Sequence, residues 1–179
     1  GKWVEIWNNV FMGFYRHPDG SYTPLSQKNV DTGMGLERTL CMLNGYKSVY
    51  ETDLFSDVIE KLEELSGKKY GKDEGVTRAM RIIADHMRTA TFLIGDEKGI
   101  VPSNVDQGYV LRRLLRRAIR FARTIDIDSA LLTQIAAMYI EKYKSVYGEL
   151  ELNREKIISE IAKEEEKFSK TLENGIKEM

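Results

Sequence analysis

The sequence predicts an α+β protein that is mostly α, with a few antiparallel strands followed by a helical, bundle-like domain. Three observations lead there. Up to Thr32 the apolar residues follow strand spacing and are broken by a turn signal, whereas beyond Thr52 they recur at helical spacing. Between the two regimes lies Ser66 to Gly75 (SGKKYGKDEG), glycine-rich and of mixed charge, which reads as a linker. The domains are accordingly drawn as 1–66 and 67–179.

Trp3 to Tyr15 is apolar on both faces, with Val4, Ile6, Asn8, Val10, Met12 and Phe14 on one side and Trp3, Trp7 and Phe11 among those on the other. Such a run belongs in the middle of a sheet. His17-Pro18-Asp19-Gly20 is a turn signal, after which Ser21 to Leu25 and Lys28 to Thr32 read as two further strands. The remaining partners of this sheet are expected before Gly1, and the chain reads as a piece of a longer protein. A helix spans Met34 to Leu43 and ends at Asn44-Gly45. Thr52-Asp53 is expected to cap a helix running to about Leu65, with Leu54, Val58, Leu62 and Leu65 on its buried stripe. Val76 to about Leu93 is a helix whose stripe is Val76, Met80, Ile83, Met87, Ala90 and Ile94. Asp128-Ser129 caps another, ending near Gly148, with Leu131, Leu132, Ile135, Met138 and Tyr139 inward. The last helix, Asn153 to Met179, carries Ile157, Ile158, Ile161, Phe168, Leu172 and Ile176. Its Glu164-Glu165-Glu166 reads as a solvated acidic run, and intramolecular packing suits the stripe better than a coiled coil.

A chain of 179 residues, 42% hydrophobic and 31% charged, can bury a core and has the make-up of a soluble globular protein. With a net charge of −1, any pull toward nucleic acid must come from local charge. The single cysteine, Cys41, excludes a disulfide framework and suggests a reducing compartment, so a cytoplasmic location is expected. No run is long and apolar enough for a membrane span, and no membrane partner is expected. His86, in Ala84-Asp85-His86-Met87-Arg88, reads as a hydrogen-bonded structural histidine rather than a catalytic base. It has no further His or Cys nearby to form a metal site.

The stretch that organises the chain is Val30-Asp31-Thr32-Gly33-Met34-Gly35-Leu36-Glu37-Arg38. An extended run passes through two glycines into a helix, which brings bare backbone and a helix N-terminus up to any ligand above the sheet. Asp31 before the turn and Arg38 one helical turn beyond it can hold an ammonium and a phosphate or nucleobase. Gly33-Met34-Gly35-Leu36-Glu37-Arg38 resembles motif 3 of the class II aminoacyl-tRNA synthetases, and the longer string resembles the alanyl-tRNA synthetases among them. Asn8 on its residues alone reads equally as a core asparagine satisfied by backbone. Glu5-Ile6-Trp7-Asn8-Asn9-Val10-Phe11-Met12, however, resembles the strand that floors the amino-acid pocket in those enzymes. The resemblance implies that Asn8 and Val10 face bound alanine, Asp31 takes its α-ammonium and Gly33 closes the wall beside its methyl. Gly35 and Arg38 are implied on the ATP side, and Glu37 in a positioning role. Such a pocket rejects large side chains sterically but separates alanine from glycine or serine weakly.

The stretch Ile100 to Arg123 feeds a loop with Pro, Asn and Asp into a helix carrying six arginines: Arg112, Arg113, Arg116, Arg117, Arg120 and Arg123. No acid lies between Asp106 and Asp126, so a solvated face would repel itself. An anionic partner such as nucleic-acid phosphate explains the stripe better, and Arg113, Arg116, Arg117 and Arg120 can share one face. Ala84-Asp85-His86-Met87-Arg88, Pro102-Ser103-Asn104 and Gly108-Tyr109-Val110-Leu111-Arg112-Arg113 are similar to signatures of the tRNA-recognition helical domain of the same family. By that resemblance Asn104 reads a wobble G·U pair in the acceptor stem, and a second reader is expected beyond Met179.

The resemblance therefore implies a segment of an enzyme that ligates alanine to tRNA(Ala) through alanyl-adenylate. Residues 1–66 would be the end of the class II aminoacylation domain, with its sheet and motif 3. Residues 67–179 would be the α-helical tRNA-recognition domain. Implied partners are the tRNA(Ala) acceptor stem, alanine, ATP and the rest of the synthetase chain. ATP and Mg²⁺ are implied as cofactors with a complete catalytic domain; zinc is not expected here. No stretch resembles motif 1 or motif 2, whose arginine grips the α-phosphate in the family, so activity of this chain alone is not expected. The alternative is a non-catalytic RNA-binding module retaining a synthetase-like pocket.

Overall fold

The computed structural model describes residues 3–127 and 130–177, so the expected cap at Asp128-Ser129 lies outside the described residues. Contacts divide the chain into two compact units, Gly1–Leu54 and Phe55–Met179.

The first unit is a β-hairpin followed by a short helix. Strand β1 (Trp7–Arg16) pairs antiparallel with β2 (Tyr22–Met34). The turn between them is closed by Asp19, whose carboxylate accepts from the Ser21 N–H at 2.9 Å and the Ser21 hydroxyl at 2.7 Å. These bonds hold the Asp19 carboxyl below the usual range. The two short strands expected after the turn are one strand with an interrupted pairing. Phe14 faces Pro24 and Met12 faces Asn29, so Leu25 to Lys28 stand opposite Gly13 alone. Pro24 has no N–H to give the ladder and sits at the edge of this bulge. Among the described residues β1 pairs with β2 only, so the expectation of a central strand is not met within this chain. Phe11 is 80% exposed and Phe14 66%.

β2 runs straight into helix α1 (Leu36–Leu43) through Gly35, two residues later than the expected start at Met34. Asn44 closes α1 by donating Nδ2–H to the Leu40 carbonyl at 2.9 Å, and Gly45 adopts φ +67°, a left-handed conformation suited to glycine. Cys41 is buried, with Sγ 3.3 Å from the Tyr46 carbonyl. Thr52 does not cap the next helix. Its hydroxyl donates to the Val49 carbonyl at 2.6 Å and closes a 3-10 turn, Val49–Glu51.

The second unit is a helical bundle: α2 (Ser56–Ser66), α3 (Glu74–Gly95), α4 (Asp106–Thr124), α5 (Leu131–Tyr143), α6 (Gly148–Leu152) and α7 (Arg154–Lys177). α3 is the hub, packing against each of the other five. Of its predicted stripe, Met80, Ile83, Met87, Ala90 and Ile94 are wholly buried, whereas Val76 in the first turn is half-buried. Ala79 and Ala84 are fully buried, and Gly95 admits side chains of α6 and α7 close to α3. A Cβ at Gly95 would stand 2.6 Å from Leu150 Cδ2 and 2.9 Å from Ile157 Cδ1.

Ser66 to Gly75 is not a loose linker but a tight αα connection inside the second unit. Gly67 ends α2 at φ +66°. The Glu63 carboxylate accepts from Tyr70 N–H at 2.7 Å and pairs with Lys69 at 2.8 Å, which lowers its pKa. Asp73 caps α3 through Val76 N–H at 2.8 Å. Glycine and charge serve capping here, and that composition is shared with linkers. The helix expected to reach Gly148 stops at Tyr143, and α6 begins at Gly148.

Tyr139 is buried, and its hydroxyl donates to the Ala84 carbonyl at 2.9 Å, joining α5 to α3. Burial pushes its pKa well above the ordinary tyrosine value. The folded form therefore binds the phenolic proton more tightly than the unfolded chain. The stability it contributes is full below about pH 10, the unfolded value, and declines as pH rises toward the folded one. Tyr139→Phe should lower unfolding free energy by about 1 kcal/mol at neutral pH for the lost hydrogen bond. It should also flatten the decline in stability above about pH 10, where an unfolded tyrosine ionises, as checked by urea titrations across alkaline pH.

Candidate functional site

In the hairpin, the register decides which side chains meet. Asn8 lies directly opposite Gly33 and Val10 opposite Asp31. Opposed residues in an antiparallel pair share a face, as do positions i and i+2. Asn8, Val10, Asp31 and Gly33 therefore form one contiguous patch: an amide, a branched apolar group, a carboxylate and a bare backbone. A Cβ built at Gly33 meets nothing within 4 Å, so the space above it is open. The other face carries Trp7 and Thr32, joined by a hydrogen bond from the indole Nε1 to the threonine hydroxyl.

At the strand-to-helix junction, Gly35 N–H donates to the Ile6 carbonyl and Arg38 Nη1 donates to the Glu5 carbonyl, both at 2.9 Å. The helix start is thus tied to the entry of β1. A Cβ at Gly35 would sit 3.4 Å from Arg38 Cδ, so Gly35 and the exposed Arg38 lie against one another. One guanidinium nitrogen is spent on backbone; the group stays charged and can still donate elsewhere. Among the described residues no three His, Cys, Asp or Glu side chains converge, so they form no carboxylate cage for Mg²⁺.

The second candidate surface is α4 with the loop before it. Asn104 is exposed on that loop. Ser103 N–H donates to the Gly108 carbonyl at 3.0 Å, and Ser103 Oγ donates to the Val105 carbonyl at 2.8 Å. Gly108 is required by this close approach, since a Cβ there would fall 2.6 Å from the Val101 carbonyl oxygen. Arg113, Arg117 and Arg120 lie on α4 over aromatic rings of the same helix: Arg113 over Tyr109, Arg117 and Arg120 over Phe121. The buried side is Leu111, Leu115, Ala118, Ile119 and Ala122.

Arg116 is placed differently from its neighbours in the expected set. Its Nε donates to Glu164 Oε1 at 2.6 Å, and its guanidinium lies over the Phe168 ring. Arg112 faces the other oxygen, Nε to Oε2 at 3.5 Å. Glu164 is 5% exposed, which overturns its reading as part of a solvated run. The acid that α4 lacks in sequence is supplied by α7. Glu165 is also half-buried, accepting from Leu132 N–H at 3.4 Å, and burial raises its pKa. Only Glu166 of the three behaves as a surface acid, paired with Lys170 at 2.6 Å. Sequence reasoning misses the roles of Arg112 and Glu164. The available signal is spacing: Ile157, Ile161, Glu164 and Phe168 form one helical stripe, and an acid within it needs a buried cation. His86 accords with its structural reading, with Nδ1 3.1 Å from Asp85 Oδ2.

The family model described as tRNA synthetases class II (A) matches residues 1–179. Curated relatives include the alanine–tRNA ligase of Borrelia hermsii, 48% identical over 178 residues, 99% of this chain and 30% of that protein. That of Treponema pallidum is 47% identical over 175 residues, 98% of the chain and 29% of the relative. The ligase of Geobacillus thermodenitrificans is 45% identical, with 98% and 20% covered. The chain thus spans about 30% of the length of the first relatives it matches.

Glu164→Ala would leave two facing arginines without their carboxylate. It should destabilise the helical unit by about 3 kcal/mol, the lower end for a broken buried pair because Arg116 retains some solvent. Glu164→Gln, which keeps an acceptor, should cost less. The check is the urea midpoint of each variant, and equal midpoints for wild type and Glu164→Ala would remove the pair from any stabilising role.

Proposed function

This chain belongs to the class II tRNA synthetases, and we propose that it is the segment of an alanine–tRNA ligase carrying part of the amino-acid and ATP pocket together with acceptor-stem recognition. The single observation that carries the pocket is the co-facial set Asn8, Val10, Asp31 and Gly33. Asp31 supplies the one charge suited to an α-ammonium. Val10 beside it and the open space over Gly33 suit a methyl-sized side chain, with Asn8 orienting the amino acid. Gly35 and Arg38, at the helix start, face ATP phosphate or adenine; the Gly35 N–H is spent on Ile6, so the guanidinium is the group that favours an anion there. The functional division follows the expected one, with 1–66 serving the pocket and 67–179 the RNA, although α2 packs with the helical unit.

In the reaction proposed for the full ligase, the carboxylate of alanine attacks the α-phosphorus of ATP, releasing pyrophosphate. The terminal ribose hydroxyl of tRNA then attacks the acyl carbon of the adenylate and takes the acyl group as AMP leaves. Mg²⁺ on the phosphates would supply charge neutralisation when bound. The residues of this chain act by holding and orienting the two substrates. On its own the chain should give no alanine-dependent exchange of pyrophosphate into ATP above background, because no residue here matches the arginine that grips the α-phosphate. Exchange by the isolated chain would overturn that assignment of labour.

On the RNA side, Arg113, Arg117 and Arg120 are phosphate contacts, Arg116 adds charge from within its ion pair, and Asn104 reads base edges. Arginines on a regular helix position the duplex without carrying sequence information. Replacing any of these three with alanine should weaken binding of every acceptor-stem duplex and reduce the salt slope by ~0.7–0.9 for each phosphate no longer neutralised. Asn104→Ala should leave the slope alone and narrow the gap between G·U and G·C stems by about 1–3 kcal/mol. Titrations of both stems with the full ligase at several salt concentrations separate the roles. Equal weakening of both stems by Asn104→Ala would reduce Asn104 to a loop-shaping residue.

A further inference from the structure

Asn104 is exposed, yet its side chain is held. Arg112, two turns into α4, donates Nη1–H to Asn104 Oδ1 and Nη2–H to the Pro102 carbonyl at 3.4 Å. The third side of the guanidinium faces Glu164, with Nε 3.5 Å from Oε2. Arg112 is itself only 12% exposed, and the other Glu164 oxygen is taken by Arg116 at 2.6 Å. The fork is thus hydrogen-bonded through both Nη atoms, while its buried Nε faces a carboxylate on another helix as an ion pair without a hydrogen bond.

This settles the polarity of the amide. Guanidinium offers donors only, so the Asn104 atom facing it must be the carbonyl oxygen; turned over, two sets of N–H groups would oppose one another. The atom left for a ligand is Nδ2, with its two N–H donors. We infer that Arg112 is a positioning residue that fixes Asn104 as a donor-only reader. The inference rests on the reading that this loop meets the acceptor stem, and it deepens that reading by stating what the reader can accept. Donors match the acceptor atoms of a minor-groove edge (pyrimidine O2, purine N3 and the ribose 2′-hydroxyl). They are mismatched to the exocyclic amino group of guanine, which both pairs carry; the wobble shift moves the pyrimidine O2, so a donor fixed in one place separates G·U from G·C by position. Arg112 touches no RNA in this scheme and adds nothing to phosphate attraction.

The test uses Arg112→Lys, which keeps the charge beside Glu164 but cannot engage three partners in one plane. Arg112→Gln, uncharged with one donor group, is the second variant if the first is unstable. In the full ligase, Arg112→Lys should reduce the preference for a G·U over a G·C stem by roughly tenfold, with the salt slope unchanged. Added to Asn104→Ala it should change the preference no further, because the group it orients is gone. A merely structural role would instead add to Asn104→Ala and lower affinity for both stems alike, and either result overturns the inference. A second readout needs no RNA. Nitrogen relaxation of the Asn104 side-chain amide should show it rigid in the wild-type chain and mobile in Arg112→Lys. Equal mobility in both overturns the orienting role. If the amide is rigid but wild type does not distinguish the stems, base reading by Asn104 fails while the Arg112 hold stands.

Discussion

Helix α3 has to be buried along most of its length, and the arrangement of the second unit follows from that constraint. A 22-residue helix with Met80, Ile83, Met87 and Ile94 on one side needs several partners to cover it. Alanines and glycines on its flanks let those partners approach, with Gly95 admitting Leu150 and Ile157. α4 lies along α3, so its inward side must be apolar while its arginines turn outward or toward α7. Tyr139 then bridges α5 to the α3 backbone, which lets its hydroxyl enter the core without losing a hydrogen bond.

Once α4 is placed, its charge becomes the next problem. Arg112 and Arg116 are one helical turn apart and would repel each other on a half-covered face. Glu164 relieves this from α7, and its own burial is tolerable because one oxygen is hydrogen-bonded by Arg116 and the other lies 3.5 Å from the Arg112 guanidinium. Arg113, Arg117 and Arg120 lie instead over aromatic rings of their own helix. The helix thereby separates into arginines that hold the fold together and arginines that remain available. Charge composition alone cannot make that distinction.

What can be read in advance tracks how local the cause is. The co-facial patch of Asn8, Val10, Asp31 and Gly33 needs only strand alternation and a hairpin register, and the motif string announces both partners. The α3 and α5 stripes are legible for the same reason, since 3.6-residue spacing is a property of one segment. The bulge at Leu25 to Lys28 reads in sequence as a gap between strands because a polar run near Pro24 resembles one. Ser66 to Gly75 reads as a linker because caps and linkers use the same residues. Glu164 lies 48 positions from Arg116 and further still from Arg112, and a pairing of that range leaves no local trace except an acid on an apolar stripe.

If Asn104 is the base reader proposed above, that last pairing also explains how such a reader can sit on a loop. An exposed asparagine side chain is ordinarily free to rotate, and ordering it on binding costs free energy that lessens discrimination. Here the loop backbone is closed onto Gly108, the amide oxygen onto Arg112, and Arg112 onto a carboxylate 5% exposed in the bundle. Each step moves the restraint from solvent toward the core, where it is already met by packing. In the proposed function the basic stripe attracts any duplex, whereas the loop has a defined donor to present. Attraction and selection would then be carried by different side chains of the same helix-and-loop element. The buried acid that neutralises part of the first is the anchor of the second.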